Sequence, residues 1–312
     1  MPKGAGLLPS DTEGARPCGA CLQVCAETHG RICWSDRSGV EEYARRGVRK
    51  VRSGKVAAAF AVLLVVSFAV MNTMPSDTLS AALLQEAVLA LVALLAVGLA
   101  VPDALKRCTR TVQQRSIVRF TAITLLLVGL VGGAITLLAW LFSGGGTMAC
   151  FASTALPSTV DLMENLLLLL GICLLTGLYE ESFMRVLGIE AFERALDAKR
   201  AILASAALFA LLHVGAPDVS AGQLVLLQAA LKFGQALLFG VILGALYARM
   251  RRLWPCAFIH AGFDVLYMVP NVLLTGMMPE TYASGAVGDT VLLAVSVLML
   301  SGIVLKIRKE IA

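Results

Sequence analysis

Charge is what this sequence has least of. Only 15% of its 312 residues are charged, where soluble domains carry about 25%. With 58% hydrophobic residues and a mean hydropathy of +0.81, the chain is expected to be an all-α polytopic membrane protein. A spanning helix needs roughly 20 apolar residues. About eight such stretches stand out, at 56–74, 79–101, 119–142, 162–187, 200–214, 223–249, 253–274 and 288–305; the fifth is short.

A second absence orients them. The connections 75–78, 143–161, 215–222 and 275–287 contain no Lys or Arg. The alternate connections are basic: Arg45 to Lys55 before the first span, Lys106 to Arg119, Arg194 to Arg200, Arg249 to Arg252, and Lys306 to Lys309 after the last. Cytoplasmic loops hold the basic residues, so both termini are expected in the cytoplasm and the protein in the cell membrane. The formal charge of +5 then belongs beside anionic lipid headgroups. No basic stripe interleaved with aromatics exists, which argues against nucleic acid as a partner.

Other missing patterns remove function classes. The N-terminus lacks the positive-then-apolar order of a cleaved signal peptide, so residues 1–53 are expected to be a cytoplasmic Cys-rich extension and 54–312 the multi-span domain. No His-Glu-x-x-His occurs, removing the common zinc-protease helix. No Gly-x-Ser-x-Gly occurs, removing the serine elbow. The halves show no internal repeat, which weakens an ion-coupled transporter.

Within the extension, Cys18, Cys21, Cys25, His29 and Cys33 are five zinc-type ligands in sixteen positions. They offer a Zn²⁺ site, although the spacing is not that of a standard finger; a reduced arm with incidental cysteines is the alternative. Cys108, Cys150, Cys173 and Cys256 are scattered and suggest no disulfide framework. In the spans, Gly129 with Gly133 and Gly240 with Gly244 have the spacing that lets helices approach closely. Glu86 and Lys232 are intramembrane charges and candidates for function by default. Glu86 reads as a packed or water-facing acid; Lys232 either meets a carboxylate of substrate or protein, or snorkels.

The densest chemistry is Tyr179-Glu180-Glu181-Ser182-Phe183-Met184-Arg185, three charges directly after an uncharged run. On an α-helix Glu181 and Arg185 share a face and neutralise each other, while Glu180 is turned about 100° away. Residues 188–198 alternate apolar and charged as an interfacial helix would. Two of the three histidines lie in spans, His213 after Phe209 and His260 before Asp264. At 1.5 Å per residue from the cytoplasmic ends, Glu180, His213 and His260 lie roughly 12, 20 and 12 Å deep. They can share one level, with Asp264 on the His260 face. A carboxylate, two imidazoles and a second acid suit hydrolysis by an activated water; the same groups can also relay protons or bind a metal.

The ordered set Glu180-Glu181-x-x-x-Arg185, Phe209-x-x-x-His213 and His260-x-x-x-Asp264 resembles the CAAX protease and bacteriocin-processing (CPBP) family, the glutamate-type intramembrane endopeptidases related to the Rce1 CAAX protease. The resemblance covers about residues 55–305 and is strongest over 162–274. It implies a CPBP/Rce1-like helix bundle that cuts a peptide bond of a membrane-associated or CAAX-like substrate and needs no cofactor. It implies that Glu180 activates water with help from His213, that Glu181 and Arg185 form a supporting ion pair, and that His260 holds the oxyanion. Asp264 stands where the family commonly has Asn; it is expected to orient His260 by accepting its ring proton, or else to be protonated itself. A non-catalytic immunity or scaffold protein of the same fold is the other reading, beside the transporter.

Overall fold

A computed structural model describes residues 53–106, 112–142, 158–214, 222–279 and 284–311. The cysteine arm, with Cys18, Cys21, Cys25, His29 and Cys33, lies outside the described residues. Among those described there is no strand. The helices are α1 (Ser53–Thr73), α2 (Leu79–Ala100), α3 (Val112–Phe142), α4 (Thr159–Glu180), α5 (Ala198–Val214), α6 (Gln223–Met250), α7 (Leu253–Thr275) and α8 (Val287–Ile311). A short 3₁₀ turn, Pro102–Leu105, follows α2. Among the described residues, seven helices are long and apolar enough to cross a membrane. The exception is α5, whose 17 residues rise about 26 Å at 1.5 Å each, slightly under the ~30 Å hydrocarbon core.

Polar residues set the ends of these apolar cylinders. Thr78 Oγ1 accepts the Ala81 N–H at 3.2 Å and starts α2. Ser158 and Asp161 cap α4 reciprocally, the Asp161 N–H donating to Ser158 Oγ and the Ser158 N–H to the Asp161 carboxylate, which satisfies two amides that a helix start leaves open. Gly276, at φ 69°, ends α7 in the left-handed region that glycine adopts freely.

The expected α-helix does not run unbroken through the acidic motif. From Glu181 to Ile189 the chain is π-helical, and all nine residues are buried. A three-residue helical turn, Glu190–Phe192, follows, and α5 starts only at Ala198. Residues 188–198 are therefore not one interfacial helix. The reason is that their acids are used: Arg251 donates to Glu190 at 2.8 Å and to both Glu193 carboxylate oxygens at 2.8 and 2.6 Å. Tyr247 also donates to Glu190. This clasp fastens the end of the π-helical segment to the α6–α7 corner, where Arg251 itself takes a left-handed φ of 46°.

Close backbone approach fixes α7 against its neighbours. A Cβ on Gly177 of α4 would meet the Ala257 carbonyl at 2.6 Å, and one on Gly129 of α3 the Phe263 carbonyl at 2.7 Å; one on Gly133 would strike the Leu266 carbonyl. On the other side, a Cβ on Gly240 or Gly244 of α6 would meet Ala206 or Ile202 of α5 at 2.9 Å. The four glycines picked out by spacing thus lie at contacts where only hydrogen fits. Large apolar residues such as Phe68, Leu99 and Leu298 face outward, where lipid replaces a packed neighbour.

Candidate active site

The side chains that surround the acidic motif's polar groups come from α4 with its π-helical continuation, α5, α6 and α7, while α1 packs on it through Phe60 against Phe183. Glu181 and Arg185 are both completely buried, with Arg185 Nε 3.1 Å from Glu181 Oε2. The guanidinium lies 4.4 Å above the Phe209 ring, a cation–π contact that gains strength away from water. Phe209 in turn packs against the His213 ring, centroids 4.1 Å apart and planes tilted by 48°. Phe209 therefore carries the position of Arg185 on to His213.

Glu180 differs from its neighbour. Its side chain is 18% exposed where that of Glu181 is 0%, so of the two adjacent acids only Glu180 is partly accessible. Its Oε1 lies 3.8 Å from His213 Nε2 and its Oε2 3.4 Å from His260 Nε2. Oε2 is buried and accepts no hydrogen bond from the protein.

The two imidazoles are held differently. His213 Nδ1 is 2.9 Å from the Phe209 carbonyl; a carbonyl only accepts, so Nδ1 carries the proton. In the neutral ring Nε2 is then an acceptor, and it faces another acceptor, Glu180 Oε1. His260 Nδ1 lies 2.8 Å from Glu181 Oε1 and donates to it. Its Nε2 lies 3.3 Å from Asp264 Oδ2 as well as beside Glu180. One proton must sit at that three-way junction, because a lone pair facing two carboxylates would be repelled by both. Phe239 closes the site with its ring edge-on to His260, centroids 4.8 Å apart.

The structure thus brings Glu180, Glu181, Arg185, Phe209, His213, His260 and Asp264 into one cluster. The acceptor at His260 Nδ1 is Glu181; Asp264 lies at the other ring nitrogen. Sequence reasoning missed this, since an i, i+4 spacing shows that Asp264 can reach the ring but not which nitrogen. It also missed Phe239 and Thr176, for which no signal existed. Glu86 is partly buried, bonds the Thr176 side chain and has Asp264 and His260 among its charged neighbours. It is therefore a packed acid bordering the site. Among the described residues no three His, Cys, Asp or Glu side chains are arranged to hold a metal ion.

Comparison with known proteins agrees with the motifs. No curated protein matches the chain. Residues 162–266, which contain Glu180, Glu181, Arg185, Phe209, His213, His260 and Asp264, match the model of the Rce1-like family, described as type II CAAX prenyl endopeptidase Rce1-like, so the chain is similar to that family through the segment that builds the site.

Proposed function

We propose that this protein is an intramembrane endopeptidase in which Glu180 activates water to hydrolyse a peptide bond of a membrane-associated substrate. One observation carries the reading: two acceptors, Glu180 Oε1 and His213 Nε2, face each other across 3.8 Å, at the one residue of the Tyr179–Arg185 motif that is not fully buried. Two facing acceptors are satisfied by a molecule with two O–H donors, and water is the smallest; a polar gap longer than 3.5 Å is where a bridging water belongs.

The steps follow from the positions. The bridging water attacks the scissile carbonyl carbon while Glu180 takes one of its protons. Negative charge gathers on the carbonyl oxygen, and His260 Nε2–H turns towards it. Glu181 holds that imidazole through Nδ1, and Arg185 holds Glu181. Glu180 then passes its proton to the departing amine, so protons balance over the cycle. Asp264 accepts the Nε2 proton when no oxyanion is present and keeps the ring charged. No cofactor enters these steps, and the partners are the bilayer and the peptide or protein substrate within it.

The test is release of product from a panel of prenylated and unmodified peptides by purified protein and by Glu180→Gln. Cleavage of at least one peptide by the wild type, lost in the variant, is expected. Equal turnover by both removes Glu180 from the chemistry.

A further inference from the structure

Glu86 of α2 takes no part in those steps, yet it borders them. It is partly buried within a spanning helix, where an acid faces a partner or a cavity rather than lipid. Its hydrogen bond goes to the Thr176 side chain of α4, one turn before Glu180, and its charged neighbours are Asp264 and His260 of α7. Glu180, Cys173 and Tyr179 of α4 also interact with its charge. Its Oε2 is buried without a hydrogen bond from the protein.

The other elements packed on α2 bring no cation to it. α1 presents Ser67 at this level, bonded to Tyr179, and its Lys55 stands at the opposite end of that helix. In the π-helical segment Glu181 and Arg185 pair with each other. Asp103 and Lys106 pair beyond the far end of α2.

The charges around the site therefore do not balance. The acids are Glu86, Glu180, Glu181 and Asp264. The bases are Arg185, His260 and Lys232, whose carboxylate neighbours are Asp264 and Glu180. Even with the His260 ring charged, one acid is left over, and a buried charge without a counterpart is neutralised by a proton. Glu181 is held by Arg185 and by His260 Nδ1, and Glu180 keeps its carboxylate for water. Glu86 is the acid whose direct partner is a neutral hydroxyl. Two neighbouring carboxyl groups share a proton rather than ionise together, and Asp264 is the neighbour.

We propose that Glu86 is a positioning residue that shares this proton with Asp264, weakening Asp264 as the acceptor of His260 Nε2–H and leaving that N–H free to turn to the oxyanion. This rests on the hydrolytic reading above. Asp264 Oδ2 stands 3.3 Å from Nε2, so a fully ionised Asp264 competes with the oxyanion for the same proton. When pH rises and the shared proton leaves, two negative charges face the ring and Nε2–H stays with Asp264. The chemical step then slows, while peptide binding is untouched.

The experiment has two readouts on the full-length protein in bilayers. Infrared difference spectra of the wild type against Glu86→Gln at neutral pH should show loss of the carbonyl band of a neutral carboxylic acid, and Asp264→Asn should shift or abolish that band. No such band, or one indifferent to Asp264→Asn, overturns the sharing. The second readout is the pH profile of kcat on a peptide that the wild type cleaves. The wild type should decline on the alkaline side; Glu86→Gln, which keeps an N–H donor at every pH, should lose that limb. Glu86→Leu, with no donor, should lower kcat by about ten- to hundredfold with KM little changed, as a hydrogen bond to a charged group implies. An alkaline limb that persists in Glu86→Gln overturns the proposal, as does a Glu86→Leu loss confined to KM. Cleavage of no peptide by the wild type removes the hydrolytic reading and the role of Glu86 with it, whereas cleavage without the infrared band removes this inference alone.

Discussion

Glu180 and Glu181 are adjacent and chemically identical, and their surroundings divide them. Glu181 is sealed between Arg185 and His260, while Glu180 opens towards His213. Breaking the sealed pair should cost stability: Arg185→Met leaves a buried carboxylate without its cation, a loss of about 3–5 kcal/mol. A shift of the melting transition in detergent will show it. Asp264→Asn should behave otherwise, because the amide oxygen still accepts from His260 Nε2; kcat is expected to stay within about tenfold, roughly 1.4 kcal/mol of barrier. A complete loss would mean that the charge of Asp264, not its acceptor, is required. At this scale the sequence disclosed which residues gather, since three charges after an apolar run and two intramembrane histidines are visible in one line of text. It did not disclose which ring nitrogen meets which carboxylate. That depends on helix rotation, and a π-helical turn from Glu181 onward changes the rotation of every residue after it.

Among the elements, the π-helical segment and the glycine contacts do the positioning. A π-helical stretch is rare and tends to occur at functional sites; here it follows Glu180 directly and ends where Arg251 clasps Glu190 and Glu193. No propensity or period in residues 181–189 announces it. The glycine contacts were legible for α3, α5 and α6 because Gly129–Gly133 and Gly240–Gly244 repeat at four residues, whereas Gly177 stands alone and gave no pattern. Gly177 nevertheless lets the helix of Glu180 and the helix of His260 approach closely, against Ala257 and Ala261. Gly177→Val should force α4 and α7 apart, costing about 1–3 kcal/mol as overpacking does, and should lower kcat by more than the melting shift explains. Wild-type kinetics in a stably folded Gly177→Val protein would show that α4–α7 spacing does not set the site.

For the whole molecule, the scarcity of charge and the confinement of Lys and Arg outside the spans to alternate connections gave the fold class and the approximate spans before any coordinates. Seven spanning helices and one of 17 residues follow from them. The short α5 is the sensitive point: if it crosses, single cysteines placed at 195 and 218 label from opposite faces of the membrane, and that is the expected outcome with an impermeant maleimide. Labelling from one face would make α5 re-entrant and reverse the sides of α6, α7 and α8. Length alone does not decide this, because neighbours and flanking residues allow a helix slightly under the bilayer thickness to span.

The central proposal is that Glu180 is the base. The most direct measurement is the single-turnover cleavage rate of Glu180→Gln beside Glu181→Gln and the wild type, each with its melting temperature. Glu180→Gln should lose at least about 10²–10⁴-fold in rate, the range for removing a general base, while melting like the wild type; Glu181→Gln should melt lower. A Glu180→Gln protein that cleaves at the wild-type rate would contradict the account.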